Sequence, residues 1–282
     1  MSSAWTGIVL ARSEPGDDRM ASRLPTFLHP LAGRPLAWHA VSAVAALRPA
    51  PSRILLVTDR EVSLDPFLDA WEGIRIFERS EEDVWSVVEE SGEPDDHFLL
   101  VDARAPLLAS GLQALLESPS TLFLTDELGL PAAAWLPRPD AERHLRRWRD
   151  LAALLVDEAE APRLVHEEGA LVVRDRRALA RASELLRDRV VGRLMDGGVT
   201  FLLPQTTWVD VDVRIGRDTV IYPGVVLEGQ TTIGDETVVG PGCRIIDSWV
   251  GSGVELRGWN YLSHTSIRNR AILEPYARRG YD

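Results

Sequence analysis

No lysine occurs anywhere in the 282 residues, so all 31 basic side chains are arginine. A position that calls for a compact ammonium charge must therefore be served by a longer, planar guanidinium or by nothing. The single cysteine, Cys243, excludes an internal disulfide and a cysteine-rich metal site. The six histidines are scattered, none at metal-ligand spacing. Tyrosine is missing before Tyr222. No apolar run reaches the roughly 20 residues that a membrane helix needs. The first apolar run, Trp5–Ala11, is short and lacks a basic lead-in and a small-residue cleavage site. A soluble cytoplasmic protein is the expectation. The 43 carboxylates outnumber the arginines and leave a net charge of −12, so neither nucleic acid nor an anionic membrane is expected as a partner.

The residues that are present fall into two textures. Over 4–178, short runs rich in Val, Ile and Leu (Thr6–Ala11, Arg53–Thr58, Ile74–Phe77, His97–Val101 and Thr121–Thr125) read as buried strands. Amphipathic stretches lie between them: Pro35–Leu47, Asp65–Trp71, Glu81–Glu90 and Ser110–Glu117 read as helices, and so does 140–155. Alternation of this kind predicts an α/β domain over 1–178 with a mostly parallel sheet covered on both faces, and with ligands beyond the carboxyl ends of the strands. Arg176–Met195 reads as a long helix ended by Gly197-Gly198, with 179–198 as connector.

After Val199 the pattern changes. Val209, Ile215, Ile221, Leu227, Ile233, Val239 and Ile245 recur every six residues. After a one-residue slip Val250 and Leu256 continue the series, and after another Ile267 and Leu273. A period of six fits neither a helix nor an alternating sheet; it predicts a hexapeptide-repeat, left-handed parallel β-helix of about four coils over 199–282. Trp249 and Trp259 fall in this part and are candidates for facing a neighbouring subunit, because tryptophan is enriched at interfaces.

The segment Leu24-Pro25-Thr26, followed by an apolar stretch and Gly33-Arg34-Pro35, resembles the sugar nucleotidyltransferase signature Leu-Pro-Lys … Gly-Lys/Arg-Pro. With the six-residue repeat behind it, and with Arg193-Leu194-Met195-Asp196-Gly197-Gly198 and Val239-Gly240-Pro241-Gly242-Cys243-Arg244, the chain resembles the bifunctional N-acetylglucosamine-1-phosphate uridyltransferase/glucosamine-1-phosphate acetyltransferase family. The resemblance implies a Rossmann-like nucleotidyltransferase domain followed by the β-helix. It also implies magnesium-dependent joining of UTP to a sugar 1-phosphate, a nucleotide or sugar nucleotide as ligand, and trimers built through the β-helix. The family's acetyl site lies on coils that would begin about where this sequence stops, so acetyl transfer is not expected. A β-helix left open at that point would need its own tail or a partner to cover it.

Transfer at an α-phosphate needs backbone donors, cations and a metal held by carboxylates. The resemblance places the phosphate loop at Leu10-Ala11-Arg12-Ser13-Glu14-Pro15-Gly16-Asp17-Asp18-Arg19-Met20, where Arg19 and Met20 match and Gly16 is the one glycine. Glu14, Asp17 and Asp18 would each repel a phosphate charge by roughly 4 kcal/mol at about 4 Å. Leu10, Ala11, Arg12, Gly16, Arg23 and Thr26 are the candidate nucleotide-binding residues and Arg19 with Asp102 the candidate catalytic ones. Thr26 stands where the family has its lysine. Losing a positioned cation there would cost several kcal/mol of transition-state stabilisation. Arg12 or Arg23 is the candidate replacement. The family's base-reading stretch falls on Glu78–Trp85, which lacks its glycines and glutamine, and its sugar-contacting stretch has no counterpart.

Asp102 and Glu168 match the family's two metal positions and are the candidate Mg2+ ligands. For Asp102 two readings stay open, a metal ligand at a strand end or a turn aspartate. Cys243 reads as an inert buried thiol and His264 as a surface or structural histidine without a readable orienting partner. Three functions follow: a degenerate nucleotidyltransferase-fold protein with a regulatory or ligand-binding role, an active nucleotidyltransferase with a rewired site, or a trimeric assembly module.

Overall fold

The computed structural model describes residues 4–11, 19–58, 74–78, 84–92, 94–146, 151–166 and 168–280. The chain divides into two compact units, one of residues 1–30 and 35–182, the other of 31–34 and 183–282.

The first unit is built on strands β1 (Trp5–Ala11), β4 (Arg53–Thr58), β5 (Ile74–Glu78), β6 (His97–Asp102), β7 (Leu122–Thr125), β8 (Pro131–Pro137) and β9 (Arg163–Val165), in the order β5-β4-β1-β6-β8-β7-β9. The short β2 (Pro30–Leu31) and β3 (Arg34–Pro35) pair separately. The pairs β5/β4, β4/β1, β1/β6 and β7/β9 are parallel; β8 runs antiparallel to both of its neighbours. Every residue of β1 is buried, as a central strand covered on both faces requires. Its side chains alternate between two cores. Val9 packs with the helix Leu36–Ala45 through Ala37, Ala40, Val41 and Val44. Ile8 and Leu10 pack with Val84, Trp85 and Val88 of the helix Val84–Ser91.

All five strands read from the sequence lie where the patterning put them, to within a residue at either end. β8 escaped that reading because Pro-Ala-Ala-Ala carries no β-branched residue, although six of its seven residues are buried. Ser110–Glu117 is not an α-helix: Leu108–Ser110 and Leu112–Glu117 are 3-10 turns around Gly111. The 140–155 stretch forms two helices, Arg138–Leu145 and Leu151–Asp157. The Asp65–Trp71 helix lies outside the described residues.

The second unit carries the left-handed parallel β-helix. Its three sheets have five, five and four parallel strands, one strand per coil in each. Val209, Ile221, Leu227, Ile233, Val239, Ile245, Val250, Leu256, Ile267 and Leu273 are all buried on these strands, which is why the six-residue period is so legible. Thr219 and Thr237 stack inside one corner. The Thr219 Oγ1 accepts from the Thr237 N–H at 3.2 Å, and the Thr237 Oγ1 from the Val254 N–H at 3.3 Å. Such side-chain bonds satisfy corner amides that the short strands leave unpaired. Among the described residues no helix is long and apolar enough to cross a membrane.

Candidate functional site

The carboxyl ends of β1 and β6 lie side by side, with Leu10 opposite Asp102 in the parallel register. Beyond β6 the chain turns at once: the Ala103 N–H donates to the Leu10 carbonyl at 3.0 Å and the Ala105 N–H to the Asp102 carbonyl at 3.0 Å. This turn aims Asp102 back onto its own successor. The Asp102 Oδ1 accepts from the Arg104 backbone N–H at 2.8 Å and from the Arg104 Nε at 3.0 Å; Oδ2 accepts from Nη2 at 2.8 Å. The guanidinium thus forks onto both carboxylate oxygens, in the geometry that makes Arg–carboxylate pairs strong. Asp102 is 8% exposed.

The segment after Glu168 runs past this turn. The Val173 N–H donates to the Arg104 carbonyl at 2.8 Å. Two residues on, Asp175 caps the helix Arg176–Asp196, its Oδ1 accepting from the N–H groups of Arg177 at 2.9 Å and Ala178 at 2.8 Å. Arg19 forms a parallel bridge with Asp175. Leu10, Asp102, Arg104, Val173, Asp175 and Arg19 are therefore linked backbone to backbone at one end of the sheet, the end where ligands bind in folds of this kind.

The remaining candidates are placed differently. Thr26, 7% exposed, opens the 3-10 turn Thr26–Leu28, whose three residues are all buried, and its carbonyl accepts from the His29 N–H at 3.0 Å. Arg23 is exposed, Ala11 is buried, and Arg12 and Gly16 lie outside the described residues. Glu168 is exposed in the turn 168–170; the next residue in that turn, Gly169, donates its N–H to the His166 Nδ1 at 2.9 Å.

A divalent cation does not fit Asp102 as it stands. Of the roughly four lone-pair sites on a carboxylate, three are taken by Arg104. Each positive charge of a metal about 4 Å from the guanidinium would also be repelled by roughly 4 kcal/mol. Among the described residues no cluster of three or more His, Cys, Asp or Glu side chains is placed to hold an ion. Sequence reasoning missed Arg104, although the Asp-x-Arg spacing at a strand end was the available signal.

His264 does have orienting partners. Its Nδ1 lies 2.9 Å from the Ser263 Oγ and its Nε2 3.6 Å from the Asp247 Oδ2, one coil away. Ser263 is only 2% exposed, so the three groups do not present a hydroxyl to a substrate. Cys243 is fully buried, and burial pushes its thiol pKa up.

The model for the bacterial transferase hexapeptide (six repeats) matches residues 212–247. In its C-terminal half the chain is 43% identical over 111 residues to the bifunctional protein GlmU of Geobacillus sp. strain WCH70, covering 39% of this chain and 24% of that protein. In this half the chain is similar to GlmU. It is likewise 40% identical over 131 residues to the bifunctional protein GlmU of Listeria monocytogenes serotype 4a strain HCC23, covering 45% of this chain and 28% of that one. The chain thus spans only about a quarter of the length of the curated relatives it matches. The crystal structure of Rv0371c from Mycobacterium tuberculosis H37Rv is similar in fold, with a TM-score of 0.51, 15% identity, and coverage of 65% of this chain and all of that one.

Proposed function

We propose that this GlmU-like chain is a nucleotidyltransferase-fold protein with an impaired transfer reaction, acting in regulation or assembly and binding sugar nucleotides weakly at most. The observation that carries this reading is Thr26. It occupies the lysine position of the signature, is packed into a buried 3-10 turn, and belongs to a chain without any lysine. Loss of one positioned charge-stabilising group typically costs about 3 kcal/mol at the transition state, or 100-fold or more in rate. The altered stretch at Glu78–Trp85, where the family reads its base, adds to the loss.

Isothermal titration with UTP and with UDP-N-acetylglucosamine, each with and without Mg2+, tests the reading. No saturable micromolar binding of UTP is expected under either condition. Tight, Mg2+-dependent binding of UTP would overturn it and favour an active transferase.

The β-helix is the proposed assembly surface. Trp249 and Trp259 are 47% and 57% exposed on it, a placement that suits contact with further copies of the chain. Light scattering should give the mass of a trimer; a monomer at micromolar concentration would contradict this.

A further inference from the structure

We propose that Arg104 takes the place of a divalent cation at Asp102, so that the first unit carries its positive charge within the chain and excludes metal from this carboxylate. The inference rests on reading the first unit as a nucleotidyltransferase-like site, in which Asp102 matches a metal-binding position. It goes further by naming the residue that displaces the metal and predicting that the metal site returns when that residue is removed.

Asp102 is nearly buried at the carboxyl end of a central strand, where an unpaired carboxylate would be costly. A metal or a cationic side chain can relieve that cost. Here the relief is local and permanent. Nε and Nη2 of Arg104 approach Oδ1 and Oδ2 at 3.0 and 2.8 Å, and the backbone N–H of the same residue fixes Oδ1 at 2.8 Å. Both side chains of the pair are only 11% exposed, so water screens the pair little. The turn cannot easily swing away, because its flanks are pinned by the Ala103 N–H on Leu10 and the Val173 N–H on Arg104. A metal would have to displace a chelating fork held in place by the backbone. Arginine, unlike a metal ion, is also covalently held and keeps its charge throughout the accessible pH range.

Mn2+ binding followed by electron paramagnetic resonance tests the assignment on the full chain. The wild-type protein should show no stoichiometric site. Arg104→Leu, which removes the charge, and Arg104→Gln, which keeps a neutral donor, should both bind Mn2+ at least about tenfold more tightly than wild type. Adding Asp102→Asn to either variant should abolish the gain. Thermal melts show which variant is folded, and either one suffices. A wild-type Mn2+ site lost in Asp102→Asn would overturn the proposal, as would folded Arg104 variants that bind no better than wild type. A wild-type Mn2+ site accompanied by a flat UTP titration would overturn the Arg104 assignment alone and leave the impaired-transferase reading standing.

Discussion

Arg34 and Asp212 stand 178 residues apart in sequence, and the Arg34 Nε donates to the Asp212 Oδ2 at 2.6 Å. The pair belongs to the second unit, which includes the tight turn Leu31–Arg34. Beside it the Val211 N–H donates to the Ala32 carbonyl at 3.1 Å. Gly33 has φ +82°, and a Cβ there would lie 2.7 Å from the Asp210 Oδ2. Gly33 and Arg34 of the Gly-Arg-Pro signature thus have a packing role in the unit that carries the β-helix. Gly33→Ala should lower stability by about 1–3 kcal/mol through backbone strain and collision. Arg34→Ala should cost about 1 kcal/mol or less, because the pair is partly exposed. Urea denaturation compares the two, and equal small losses would argue that the turn is not constrained.

Asp210 gives a pH signature. Burial raises the pKa of its carboxyl, and the Gly229 N–H and the Trp208 indole N–H lower it in part. A carboxyl with a raised folded pKa binds more protons folded than unfolded. Its contribution to stability is therefore fully present below the unfolded value and declines as pH rises through the folded one. Denaturation midpoints should fall over that acidic window in the wild type, and this component should vanish in Asp210→Asn.

Two glycines should respond oppositely to alanine. Gly242 turns a β-helix corner at φ +65°, and a Cβ there would sit 2.4 Å from the Trp259 Cε3. Gly242→Ala should cost about 1–3 kcal/mol. Gly192 lies inside the helix Arg176–Asp196 with nothing within 4 Å of its added Cβ, so Gly192→Ala should stabilise by about 0.5–1 kcal/mol through helix propensity. Thermal melting distinguishes the two directions.

Cys243 should be inert in the folded protein. Its Sγ is enclosed by the coil and lies 3.5 Å from the Asn260 Oδ1, and its thiol pKa is raised by burial. A thiol-reactive chromophore should label it only after denaturation. Rapid labelling of native protein would show that the corner opens.

The β-helix was legible because each short face needs one inward aliphatic residue, and Val209 to Leu273 supply it with two slips. The parallel strands were legible for a similar reason, as buried strands read as continuous apolar runs. β8 was not, because tertiary burial alone holds its Ala-rich sequence extended. The site was legible only in part. Asp102 stands at a strand end, as the sequence implied, but whether such an aspartate faces a ligand or its own turn depends on the backbone after it. That backbone delivers Arg104. His264 found its partner Asp247 one coil away, a proximity that appears only once the coil length is known.

The proposed impairment of the transfer reaction on a scaffold that persists has a direct readout. Pyrophosphate release from UTP and N-acetylglucosamine 1-phosphate in Mg2+, measured for the wild type beside Asp102→Asn, tests it most directly. The two proteins should give the same background rate. Sustained release by the wild type that disappears in Asp102→Asn would contradict it.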